Sequence, residues 1–78
     1  MDERIREILT LYGHVDGHDI GERVDLFQAG MTSHASVNVM LALEDSFDIE
    51  FPEEMLRKAT FESVAAIRAA VETLLAVV

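Results

Sequence analysis

The chain has 78 residues, 15 acidic and 6 basic side chains, a net charge of −9 and no cysteine. Disulfides, thiolate metal sites and a cysteine nucleophile are excluded, and nucleic-acid binding is opposed because phosphates would be repelled rather than neutralised. Half the residues are apolar, enough for a packed core in one domain over residues 1–78 and too many for wholesale disorder.

The first predicted element is a helix from about Asp2 to Tyr12. Ile5, Ile8, Leu9 and Tyr12 recur at helical spacing. Asp2 and Glu3 suit the positive end of its dipole. The start, MDERIREIL, has no apolar core of the kind a signal peptide carries.

Residues 13–30, GHVDGHDIGERVDLFQAG, hold all four glycines and two of the three histidines. A connection of this length points to function or to local packing. Val15, Ile20, Val24, Leu26 and Phe27 are the side chains expected to pin it to the core. His14, Asp16, His18 and Asp19 lie close together, but their spacing matches no standard metal motif. They read as a polar turn built on glycines and Asx residues, so no metal site is expected.

A second helix is expected from Ser33 or His34 to about Ser46. At 100° per residue, Val39, Met40, Leu43 and Phe47 share its core face. Val37 and Leu41 lie on another face, one turn apart, with Glu44 and Asp45 continuing the line. Either the loop or the next helix covers this second apolar line, or it is a stripe on which a partner docks.

A short third helix is expected at about Glu53 to Lys58, with Pro52 as its first-turn proline. Met55 and Leu56 are placed to line a gap between it and the second helix. The fourth helix begins after Thr60, a good N-cap. Its core stripe is Val64, Ile67, Val71, Leu74, Leu75 and Val78. This last segment is too short, and too interrupted by Arg68 and Glu72, to span a membrane. The expected architecture is all-α: a four-helix bundle of three longer helices and one short one, with a long loop between the first and second. A cytoplasmic monomer that binds neither membrane nor nucleic acid follows as the default.

Ser33 heads the second helix in GMTSHASV, and three uses compete for it. It could be the helix N-cap, a role open to Thr32 as well. It could be a nucleophile, but adjacent helical residues do not face each other. A triad also needs an orienting acid, an oxyanion hole and a pocket, for which a bundle of this size has little room. The third use is covalent attachment of a group.

From Asp25 to about Thr73 the chain resembles the acyl carrier proteins. The matching pieces are DLFQAGMTS, VNVMLALEDSF and DIEFPEEMLRKATFESV. Ser33 falls at the family's modified serine, and Leu43, Glu44, Phe47, Asp48, Ile49 and Pro52 fall in register with it. The resemblance implies that Ser33 receives 4′-phosphopantetheine from coenzyme A through a phosphopantetheinyl transferase. It further implies a thioester-bound acyl or aminoacyl cargo, an acyl- or amino-acid-activating ligase, and downstream acyl-transfer enzymes. The chain would be a carrier, not an enzyme. Partners would dock around Thr32, His34, Val37, Leu41, Glu44 and Asp45.

Thr32 stands where the family commonly has aspartate, and His34 where it has leucine. Ala35, Asn38 and Ser46 are neutral where fatty-acid carriers are often acidic. These differences resemble specialised carriers charged by dedicated amino-acid ligases. A fatty-acid or polyketide carrier remains the alternative, as does an unmodified, carrier-like helical adaptor.

Overall fold

The computed structural model describes residues 1–76. Its elements are α1 (Asp2–Tyr12), α2 (Ser33–Phe47), two 3-10 turns (Glu53–Met55 and Lys58–Phe61) and α3 (Val64–Ala76). Among the described residues the all-α class stands, with three α-helices rather than four. The segment expected as a short third helix is broken at Leu56 and Arg57, whose backbones leave the helical region. So short a helix gains few hydrogen bonds against a costly nucleus, and tertiary anchors decide the path instead. Phe51 and Phe61 meet edge to face, with ring centroids 5.2 Å apart, and each is buried. Pro52 is extended and precedes the first turn, so it is not a helical residue.

Thr60 lies inside the second 3-10 turn and does not cap α3. Ser63 does that work: its Oγ accepts the Ala66 N–H at 3.0 Å. A second free amide at this end, Ala65 N–H, donates to the Glu22 carbonyl at 2.9 Å. The loop therefore helps start the last helix.

The core joins Ile5, Ile8 and Leu9 of α1 to Ala35, Val39 and Leu43 of α2 and to Val64, Ile67, Ala70 and Val71 of α3. α1 packs against both other helices. Tyr12, Val24 and Leu75 were expected inside, but they are exposed. Tyr12 and Leu75 sit at the edges of their helical stripes and Val24 in the connection between α1 and α2, where a small bundle runs out of neighbours. Val78, the last residue of the expected α3 stripe, lies outside the described residues.

The connection from α1 to α2 is tied down rather than draped. Val15, Leu26 and Met31 enter the core, with Ile20 and Phe27 packed against it. The Arg6 guanidinium donates to the Gly17 carbonyl at 2.8 Å and also to the Ile20 carbonyl. Gly17 N–H donates to Thr10 Oγ1 at 3.0 Å. Gly17 sits so close to α1 that an added Cβ would lie 2.2 Å from the Arg6 carbonyl oxygen. Farther along, Arg68 of α3 donates to Asp2 at 2.7 Å and to Glu22 at 3.0 Å, joining both ends of the chain to the loop. These bonds hold the guanidinium pKa above its ordinary value, the Glu22 hydrogen bond first and Asp2 second. Among the described residues no helix is long and apolar enough to cross a membrane. No three His, Cys, Asp or Glu side chains gather there as metal ligands either.

Candidate functional site

Four consecutive residues before and into α2 have four separate tasks. Gly30 has φ of +127°, a backbone conformation that glycine enters without steric cost. The turn it permits drops Met31 into the core, where it is 2% exposed. Met31 N–H closes the turn on the Leu26 carbonyl at 3.0 Å. Thr32 then has extended backbone and is the N-cap, its Oγ1 accepting the Ala35 N–H at 3.0 Å. Ser33 is the first helical residue.

This arrangement answers the question that Ser33 posed. The capping role belongs to Thr32, so the Ser33 hydroxyl is not needed for it. Ser33 is exposed, and among the described residues its hydroxyl has no hydrogen-bond partner. Ser36 bonds to the Ser33 carbonyl, at 2.6 Å, and not to the hydroxyl. The first turn of α2 contains no acidic residue, so nothing there opposes an anion held at the positive end of the helix. His34 is exposed beside it.

The other candidate residues extend along α2. Val37 is 50% exposed and Leu41 is 53% exposed. Neither the loop nor the 3-10 turns cover them, so the open stripe is the arrangement observed. Asp45 is exposed farther along. Glu44 is only half-exposed and has a structural partner: its carboxylate accepts the Phe51 N–H at 2.9 Å. Its carbonyl also receives the Asp48 and Ile49 amides where Asp48, in left-handed conformation, ends the helix. Glu44 thus steers the chain out of α2 toward the 3-10 turns.

Ser33 opens onto a groove of about 420 Å³ between α2 and the 3-10 turns, a volume within the range of small-molecule clefts. Phe27, Val37, Met40, Leu56 and Phe61 form its apolar walls, Ser36 joins Ser33, and Arg57 and Lys58 complete the lining. Lys58 Nζ lies 5.0 Å from the centre of the Phe27 ring, a cation–π distance. Leu56 lines the gap as expected. Met55 does not, and packs against the core instead. Phe27, Arg57 and Lys58 were not legible as site residues. The one available signal was a pair of adjacent cations in a chain with only six.

A hydroxyl that is exposed, unpartnered and at a helix start, beside an apolar groove with cations on its wall, suits a long phosphodiester-linked arm. Among the described residues no serine–histidine–acid arrangement is assembled at Ser33: His34 is the next residue on the helix, sequence neighbours do not face each other, and no described carboxylate lines the groove.

The comparisons agree with that chemistry. The family model described as "phosphopantetheine attachment site" matches residues 3–75. The chain is 42% identical over 77 residues to an aminoacyl carrier protein of Agrobacterium fabrum, covering 96% of this chain and 93% of that one. It is 33% identical over 70 residues to a D-alanyl carrier protein of Lactobacillus helveticus, covering 86% of this chain and 89% of that one. Among solved structures it matches the carrier protein from Agrobacterium tumefaciens in complex with an engineered Bradyrhizobium japonicum glycine:[carrier protein] ligase and AMP. The TM-score there is 0.89, with 42% identity, covering 92% of this chain and 99% of that one.

Proposed function

Because the chain belongs to the phosphopantetheine-attachment family, we propose that Ser33 is the attachment point of 4′-phosphopantetheine and that the cargo is an aminoacyl group held as a thioester. The observation that carries the site is the exposed Ser33 hydroxyl, left without a partner because Thr32 caps the helix. The aminoacyl cargo is supported by the relatives, which include an aminoacyl and a D-alanyl carrier, and by the similar carrier protein seen with a glycine:[carrier protein] ligase.

The arm, when bound, supplies a thiol that forms the thioester. The chain's own residues do the rest. Ser33 Oγ presents a hydroxyl to the transferase, which must remove its proton, since no base within the groove lining is placed to do so. Gly30, Met31 and Thr32 fix where that hydroxyl stands. The positive end of α2 tolerates the phosphodiester that results. Val37 and Leu41 offer apolar area to an amino-acid:carrier ligase, with Thr32 and His34 at the near end of the contact and Glu44 and Asp45 at the far end. The transferase and the enzymes that take the cargo onward meet the same face in turn. The single domain acts in the cytoplasm as a carrier and catalyses nothing itself.

Intact-protein mass spectrometry tests this reading after incubation with coenzyme A and a broad-specificity phosphopantetheinyl transferase. The native chain is expected to gain one phosphopantetheine and Ser33→Ala none. A gain on the variant would overturn the site. A native chain that stays unmodified while folded would favour an adaptor that binds proteins only.

A further inference from the structure

The groove beside Ser33 is electrostatically at odds with the rest of the molecule. The chain carries 15 acidic side chains against 6 lysines and arginines, yet among the described residues the lining of this groove holds two cations and no carboxylate. Both cations come from adjacent positions, Arg57 and Lys58, where the break between the two 3-10 turns brings them to the wall. Lys58 is also steered: its ammonium lies over the face of Phe27, which favours one placement of an otherwise flexible side chain. The expected continuous helix over residues 53–58 would not have produced this arrangement, because Arg57 is extended, with φ −134° and ψ 156°.

Resting on the assignment of Ser33 as the attachment point, the geometry points to Arg57 and Lys58 as positioning residues for the arm's phosphodiester. An attached phosphodiester is a permanent monoanion at the groove's own Ser33. Two cations on the facing wall would draw it inward and so bias the arm to run along the apolar lining at Val37, Leu56 and Phe61. The bias is weak and reversible, because exposed ion pairs in water have small free energies and are screened by salt. That suits a carrier whose arm must leave the groove to enter a partner's active site. Glu53 and Glu54 precede the cations in sequence and do not line the groove.

The experiment compares the unmodified and phosphopantetheinylated forms of the native chain and of Arg57→Gln, Lys58→Gln and the double variant. Mass spectrometry first verifies one arm per chain, and circular dichroism verifies the fold. Amide resonances of Val37, Leu56 and Phe61 and the phosphorus resonance of the arm are then followed as salt is raised. In the native chain the arm should shift the groove amides, and the shift should fade with salt. Each single substitution should lower the groove-bound fraction about two- to fivefold, as expected for removing one exposed charge partner, and the double variant should lower it further. Groove shifts confined to the neighbours of Ser33, or shifts that persist unchanged in the double variant, would overturn the proposal. A native chain that gains no arm would instead remove the Ser33 assignment, so the two failures are distinguishable.

Discussion

Replacing Thr32 and Ser33 separately by alanine should divide the stability of α2 from its chemistry. Thr32 Oγ1 is the acceptor for the Ala35 N–H, at 3.0 Å. That amide precedes the first backbone bond of the helix, in which Ser36 N–H reaches the Thr32 carbonyl. Loss of such a cap costs about 0.5–2 kcal/mol. Ala35 is 1% exposed, so water cannot readily replace the lost acceptor, which puts Thr32→Ala in the upper half of that range, about 1–2 kcal/mol. In a domain of this size each kcal/mol lowers the melting temperature by about 4–8 °C. Thr32→Ser keeps the acceptor and should recover most of the loss. Ser33→Ala removes a hydroxyl that contributes nothing to the fold and introduces a better helix former, so its stability should match the native chain or exceed it by a few tenths of a kcal/mol, roughly. The assay is urea unfolding of the unmodified proteins followed by circular dichroism, with mass spectrometry after transferase treatment in parallel. Thr32→Ala should be destabilised yet modified, and Ser33→Ala stable yet unmodified. If Ser33→Ala loses a kcal/mol or so while Thr32→Ala does not, the cap is Ser33 and the free-hydroxyl argument fails.

Three further outcomes test the frame around the site. Gly17→Ala would press a methyl against the Arg6 carbonyl oxygen at 2.2 Å; overpacking against backbone should cost about 1–3 kcal/mol, read as a lower urea midpoint, together with faster hydrogen exchange in the loop. Leu41→Ala should leave the unfolding free energy within about 0.5 kcal/mol of native, because the side chain is 53% exposed, while slowing aminoacylation of the modified chain by an amino-acid:carrier ligase, measured as initial rate at low carrier concentration. The folded-state pKa of Arg68 is raised by Glu22 and Asp2, so the stability it contributes is fully present below the ordinary guanidinium pKa and is lost only as pH rises through the raised value. The stability difference between the native chain and Arg68→Gln should accordingly be equal at about pH 6 and about pH 9 and shrink with added salt; a difference that vanishes at the higher pH would contradict the assignment.

The sequence by itself determined the helical class, the bounds of α1 and the start of α2, and it singled out Ser33 as the proposed attachment point. It could do so because these depend on local regularities. Ile5, Ile8 and Leu9 mark a helical face whatever packs on it, and the ordered motif from Asp25 onward survives without coordinates. The loop anchors Val15 and Leu26 were legible for the same reason, as apolar residues in a largely polar segment.

Only the tertiary structure decided between alternatives of nearly equal local merit. Thr32 and Ser33 are both good caps, and so are Thr60 and Ser63. The choice falls to Thr32 because Met31 is drawn into the core one residue before it, and to Ser63 because Phe61 is drawn in toward Phe51. The segment after Pro52 has too few helical bonds to hold its own form, so Phe51 and Phe61 set its path and break it at Arg57. That break places Arg57 and Lys58 on the wall of the groove that Ser33 also lines, a placement no periodicity could reveal. Val37 and Leu41 were ambiguous because exposure belongs to the assembled molecule: an apolar side chain on a helix shows its spacing in sequence, but what covers it comes from residues far away along the chain.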